Sequence, residues 1–252
     1  MSYTIAITGK GGTGKTTVAG LLVSALLKKG RSPVLAVDAD PNSCLDGVLG
    51  VKVEKSVGCV REEVRDEASK NAASGIAKRE WLELKIAESL VEADGFDLIA
   101  MGRPEGPGCY CFANNVLKDV INQIAKNYPY VVIDNEAGLE NLSRRIVQKV
   151  DLLLMVGDPS KRGLDTIKRL YDLASEMKME YGKLGIIINR TKNEISKSVL
   201  EDLVSYTKAD YLLNLQDDRE LAELAERGDN IQGHSLDNPV FVKIREFLDG
   251  VM

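Results

Sequence analysis

Histidine is almost missing from this chain: His234 is the only one in 252 residues. That removes any metal centre built from several imidazoles and leaves His234 as a surface or capping residue near the C-terminus. Aromatic residues are also scarce, at 5% of the chain, and the few rings form no stacking platform for nucleic-acid bases. The net charge of −5 gives no overall attraction to nucleic acid or to anionic lipid. No apolar run approaches the length needed to cross a bilayer, and the N-terminus carries no signal-peptide pattern. The final stretch, Val240 to Met252, sets only Lys243 and Arg245 against Glu246 and Asp249, which is not the basic amphipathic helix of a membrane-surface protein. A cytoplasmic protein with no nucleic-acid and no membrane partner is expected. Four cysteines in a chain of this length do not make a disulfide scaffold. In a reducing compartment they are free thiols or metal ligands.

What the chain does contain is an ordinary apolar fraction, 44%, enough for a sizeable core. Short apolar runs at 3–8, 33–38, 96–101, 130–134, 151–156, 184–188 and 210–213 read as strands. Several are apolar at every position, as in Val131-Val132-Ile133, which suits a parallel sheet buried between helices. Helical spacing is predicted over 16–29, 77–93, 114–127, 161–178, 195–206, 217–227 and 240–249. The expected fold is α/β: one domain over residues 1–252, with a mostly parallel sheet of about seven strands and helices on both faces. No repeat, linker or domain boundary interrupts it. Residues 45–95 are charged and read as a helical elaboration.

Eight residues dominate the functional reading. Gly9-Lys10-Gly11-Gly12-Thr13-Gly14-Lys15-Thr16 fits G-x-x-x-x-G-K-[ST], between a predicted strand and a predicted helix. Glycines let successive backbone N–H groups turn inward onto phosphate, and the helix that follows points its positive end at the same place. In this pattern Lys15 reaches the β- and γ-phosphates and Thr16 holds Mg²⁺. The domain is therefore expected to be a P-loop NTPase. Three further strand ends carry polar groups. Val37-Asp38-Ala39-Asp40-Pro41 follows the second strand, where an Asp-Pro turn is the bland alternative. Val131-Val132-Ile133-Asp134 has the Walker B form, placing Asp134 near Mg²⁺ through water. Ile186-Ile187-Ile188 ends at Asn189-Arg190, and an amide can both donate to and accept from a base edge.

The stretch Lys10-Gly11-Gly12-Thr13-Gly14-Lys15-Thr16-Thr17 resembles the loop of the deviant Walker A ATPases, K-G-G-x-G-K-T-[ST]. That branch includes the partitioning and division-site ATPases (ParA and MinD) and the nitrogenase iron protein. The resemblance implies a homodimer closing over two ATP molecules, with Lys10 crossing to the partner's nucleotide and Thr17 completing the loop. It further implies that Asp40 orients or activates the attacking water and that Asp38 supports the Mg²⁺ shell. Gly138, in Asp134-Asn135-Glu136-Ala137-Gly138, would sense the γ-phosphate, and Asn189, followed by Arg190, would recognise adenine. The Leu213 to Glu220 segment would flank the base, here without the proline often found there.

One motif is more specific. Cys109-Tyr110-Cys111 sits in the Gly/Pro-rich run Gly106-Pro107-Gly108, after a strand and before a helix. Thiolates are soft ligands, and a helix N-terminus lowers thiol pKa. Two thiolates cannot fill a four-coordinate shell, but two subunits could supply four. The bland alternative is a pair of inert loop cysteines. Together with Asp38 to Leu45 and Ala137 to Arg144, this C-x-C makes the chain similar to the nickel-maturation ATPases of carbon monoxide dehydrogenase (CooC type) or acetyl-CoA synthase (AcsF type). That resemblance implies one Ni²⁺, or Zn²⁺ in its place, bound by Cys109 and Cys111 of two subunits, with ATP turnover driving nickel into the client enzyme. Cys44 and Cys59 are expected to be packing residues. Two alternatives remain open: a spatial-regulator ATPase of the MinD or ParA kind, and an iron–sulfur reductase like the nitrogenase iron protein. The second lacks support from a cysteine between Asp134 and Arg144.

Overall fold

A computed structural model describes residues 2–60, 63, 78–102, 121–138, 149–233 and 236–252. Within these the strands are β1 (Tyr3–Gly9), β2 (Val34–Asp38), β3 (Val91–Glu92), β4 (Phe96–Ala100), β5 (Tyr130–Asp134), β6 (Lys149–Gly157), β7 (Glu180–Thr191) and β8 (Tyr211–Gln216). The helices are α1 (Lys15–Lys28), α2 (Leu45–Leu49), α3 (Lys78–Glu88), α4 (Lys161–Glu176), α5 (Lys197–Thr207), α6 (Arg219–Arg227) and α7 (Pro239–Val251), with a 3₁₀ turn at Ile231–Gly233. His234 and residues 114–120 of the predicted 114–127 helix lie outside the described residues.

The strands form one eight-stranded sheet in the order β3-β4-β2-β5-β1-β6-β7-β8. Seven run parallel, as the continuous apolar runs require. The eighth adds one short antiparallel strand to the expected set of about seven. The helix predicted over 77–93 stops at Glu88, and Val91–Glu92 pairs antiparallel with Leu98 and Asp97. The cause is local: Asp94-Gly95, with Gly95 at φ 80°, reverses the chain straight into β4.

Alternation along each strand divides the core in two. Ala6, Leu35, Val37, Val131, Ile133, Leu153, Met155, Ile186 and Ile188 face one layer, with Ile86, Ile167, Leu170 and Leu203 from α3, α4 and α5. Ile5, Ile7, Val34, Ala36, Leu98, Val132, Leu152, Leu154 and Ile187 face the other, with α1, α2 and α7. Helices thus cover both faces. The elaboration after β2 includes α2, which packs its buried Leu45 and Leu49 into the α1 layer.

Register decides where chemistry collects. Asp134 stands level with Ile7 on one side and with Asp38 on the other, at the carboxyl ends of β5, β1 and β2. Asp38 is in turn level with Ala100 at the end of β4. In such sheets ligands bind beyond these ends.

Candidate nucleotide site

The loop after β1 is shaped by close approach. A Cβ on Gly9 would lie 2.2 Å from the Val156 carbonyl oxygen of β6, so no side chain fits there. Gly14 caps α1 with φ 86°, and α1 has no side-chain cap and no acidic residue in its first turn. The first N–H groups of that helix are therefore left for an anion. The loop is folded around one acceptor: the Lys10 carbonyl receives the Thr13 hydroxyl at 2.8 Å and the Lys15 ammonium at 3.3 Å. Lys15 is 7% exposed. Burial pulls its pKa below the usual lysine range, against the opposing pull of Asp134, Asp40 and Glu136. Lys10, by contrast, is exposed.

The two aligned carboxylates behave differently. Asp38 is wholly buried, and its two oxygens accept from the backbone N–H of Asp40 at 3.0 Å and of Leu45 at 2.9 Å. It organises the loop that carries Asp40. Asp40 in turn accepts from the backbone and side-chain amides of Asn42 at 2.8 and 2.9 Å. Asp134, 1% exposed, keeps one oxygen, Oδ1, without a hydrogen-bond partner. Its pKa is pushed up to about 7, first by burial and then by the neighbouring charges of Asp38 and Asp40, while the Thr16 hydroxyl and Lys15 hold it down. A buried, unsatisfied carboxylate oxygen beside a threonine hydroxyl and a phosphate loop is a donor set that suits a hard divalent cation such as Mg²⁺.

Gly138, at φ 91°, donates its N–H to Gly9 O at 3.0 Å and accepts from the buried Thr8 hydroxyl at 2.8 Å. Both backbone polar groups of Gly138 are thus fastened to the end of β1. Asn189 donates Nδ2 to Thr13 O at 2.9 Å, and Arg190 donates to Gly12 O at 3.2 Å. Beside them opens a cavity of about 550 Å³, lined by Thr17, Val18 and Leu21 of α1, by Asn189 and Arg190, and by Leu215 to Asp218. Its size and its mix of apolar wall and amide edge suit a nucleotide base. The structure therefore gathers every expected residue of the loop and strand ends at the carboxyl end of the sheet. Replacing Gly14 by alanine should lower stability by roughly 1–3 kcal/mol, since a left-handed backbone is strained for other residues. The new Cβ would also stand 2.5 Å from Asn189 Nδ2. Urea unfolding of the variant measures this.

Three contributors escape a sequence reading. Thr8 looks like one more strand residue until its hydroxyl is seen holding Gly138. Asn135, 2% exposed, ties β5 to Ile7 O at 2.9 Å. Asp158, in the Asp-Pro-Ser run after β6, feels the charge of Lys10, and Ser160 above all holds its carboxyl below the usual range. Only its place at a strand end could have flagged it.

Cys109 and Cys111 lie outside the described residues. Cys44 and Cys59 are both exposed, which overturns their expected packing role: Cys44 caps the start of α2 and Cys59 lies on the outward side of a helical turn. Partial desolvation, then Asp38, Asp40, Asp46 and Asp134, push the Cys44 thiol above its ordinary pKa, so it is no activated nucleophile. Among the described residues no group of His, Cys, Asp or Glu forms a metal cluster, and no helix is long and apolar enough to cross a membrane.

Comparison with known proteins agrees with this geometry. The chain is 41% identical over 249 residues to an uncharacterised ATP-binding protein of Methanocaldococcus jannaschii, covering 98% of each. It is 34% identical over 185 residues to the carbon monoxide dehydrogenase accessory protein CooC of Rhodospirillum rubrum, covering 69% of each. The solved MinD cell division protein of Aquifex aeolicus superposes with a TM-score of 0.69 at 25% identity, covering 99% of this chain and 97% of that one. The AAA domain family matches residues 2–186, and with that match the phosphate loop, Walker B strand and sheet order identify the chain as a P-loop ATPase of the MinD/ParA type.

Proposed function

We propose that this ATPase is a dimeric metallochaperone that inserts nickel into carbon monoxide dehydrogenase or acetyl-CoA synthase. One observation carries the reading. Ala100 ends β4 level with Asp38, so the chain leaves β4 toward Cys109-Tyr110-Cys111 from the same carboxyl end of the sheet that holds the phosphate loop. A dimer closing over ATP at that end would bring two copies of this segment toward each other. The similarity to CooC supports the same client class.

In this reading Lys15 and the α1 N-terminus bind the triphosphate, with Gly9, Gly11, Gly12, Thr13, Gly14 and Thr17 completing the cradle. Lys10 reaches the partner's nucleotide. Thr16 would hold Mg²⁺, with Asp38 and Asp134 supporting its shell. The ion would neutralise phosphate charge. Asp40 positions the attacking water. Gly138 would exchange Gly9 O for the γ-phosphate, and Asn189 would offer its amide oxygen to adenine while its nitrogen stays on Thr13. Nickel is cargo, held by four thiolates from two subunits, with Zn²⁺ as its surrogate. Elemental analysis with and without ATP tests this: about one nickel per dimer is expected. Metal-free protein that still hydrolyses ATP would remove the nickel reading alone.

The protonation of Asp134 gives a pH dependence. Its folded pKa, about 7, lies above the ordinary 3.8, so the folded state binds more protons between those values. Free protein should therefore lose stability as pH rises from about 4 to 7. Cation binding needs the carboxylate, so the Mg²⁺-dependent gain in nucleotide affinity should rise about tenfold from pH 6 to pH 8. Titration calorimetry at both pH values checks this, with Asp134→Asn expected to flatten the trend beyond that of the nucleotide itself.

The likeness to a solved MinD supports a second reading, a spatial regulator. Co-sedimentation of the ATP-bound protein with liposomes or DNA would favour it.

A further inference from the structure

Strand β7 carries a fault at its end. Its pairing with β8 runs in register to Ile188 opposite Asn214 and resumes at Thr191 opposite Gln216, three steps on one strand against two on the other. One residue is therefore bulged out at 189–190, and bulges re-aim side chains. Arg190 stands in it with φ 59°, in the left-handed region that a long side chain rarely adopts. The strain persists because both flanks are pinned. Asn189 is buried, the Thr191 hydroxyl donates to Leu215 O at 3.0 Å, and Asp217 N–H donates to Thr191 O at 3.0 Å.

The bulge produces a brace across to the phosphate loop. Arg190 takes the Gly12 carbonyl and Asn189 takes the Thr13 carbonyl, two successive acceptors. A trans peptide is planar, with C=O and N–H pointing to opposite sides. Drawing those two oxygens toward β7 therefore turns the N–H groups of Thr13 and Gly14 to the other side, into the loop, where Thr13 N–H already lies 3.5 Å from Lys10 O. A phosphate cradle needs N–H groups inward, and a carbonyl facing inward would repel the anion.

We propose that Arg190 is a positioning residue for the phosphate loop and not a reader of the base. The fold holds it in a strained backbone so that its guanidinium keeps the Gly12 carbonyl out of the cradle. This rests on the reading of the loop as the triphosphate site. It also gives a physical route from the β7 end, which lines the base cavity, to the phosphates. The competing assignment is that Arg190, which also lines the cavity, contacts the base.

Titration calorimetry with the Mg²⁺ complexes of ATP, ITP and GTP separates the two. Arg190→Ala should weaken all three by the same factor, roughly tenfold, the low end for a hydrogen bond from a charged group. Arg190→Lys, which keeps a cationic donor, should restore part of the loss. Arg190→Gly is the control for misfolding. Glycine accepts the left-handed backbone without strain, so its melting temperature should match or exceed that of Arg190→Ala while the affinity loss stays. A loss confined to ATP, or no loss at all, overturns the proposal. Wild-type protein that binds none of the three would instead remove the nucleotide reading beneath it.

Discussion

Lys10→Ala should bind ATP within a few-fold of the wild type and hydrolyse it at least about a thousandfold more slowly, the scale set by cationic groups supplied in trans to phosphoryl transfer. The argument begins with what alanine preserves. Lys10 shapes the loop through its carbonyl, which receives the Thr13 hydroxyl and the Lys15 ammonium, and that carbonyl survives the substitution. Only the exposed side-chain charge is lost. Lys15 differs: it is buried in the loop, and its removal should abolish binding itself. A mixing experiment decides whether Lys10 acts across the dimer. Combining Lys10→Ala with Asp40→Asn gives mixed dimers in which the site with an intact Asp40 faces an intact Lys10. Activity should return in the mixture although each variant alone is inactive. A mixture that stays inactive would exclude action in trans.

Cys109→Ser or Cys111→Ser should each strip the dimer of its nickel, from about one ion to none detectable by elemental analysis, with ATP binding unchanged. A serine hydroxyl stays protonated near neutral pH and is a hard, weak ligand, whereas a thiolate is soft and already anionic. In the proposed site the two subunits share the ion, so one substitution would remove two of four ligands at once. The effect is loss of the site, not half occupancy. Affinity should therefore fall by orders of magnitude in either variant. Nickel content equal to wild type in either variant would dismiss these thiols as the ligands, while leaving the ATPase assignment untouched.

Most of the site was legible because its residues are local. The phosphate loop is contiguous in sequence, and its glycines, lysine and threonine are demanded by backbone geometry and charge alone. Strand ends were legible because apolar runs stop at them, which marked Asp38, Asp134 and Asn189 before any contact was known. What could not be read was which atoms these residues spend on one another. Asp38 reads in the sequence only as a residue supporting a metal shell; the structure adds that its two oxygens also accept from the backbone N–H groups of Asp40 and Leu45. Arg190 looks like an appendage to Asn189, yet a one-residue bulge aims it at Gly12. Thr8 gave no signal, because a hydroxyl that bonds a carbonyl 130 residues away leaves no local pattern. The short strand Val91–Glu92 was hidden in a helical periodicity that a two-residue turn cuts off.

By itself, then, the order of residues determined the chemistry available: a loop that binds phosphate, carboxylates at strand ends, a paired thiol motif and continuous apolar runs that suit a doubly covered parallel sheet. Those follow from interactions between neighbours, which a chain carries wherever it goes. Tertiary structure decided the rest. Register set Asp38 beside Asp134 in a buried place and so raised the Asp134 pKa to about 7. It also tied Gly138 to Gly9 and braced the loop from β7. These depend on distances between segments far apart in the chain, and such distances exist only once the sheet has closed.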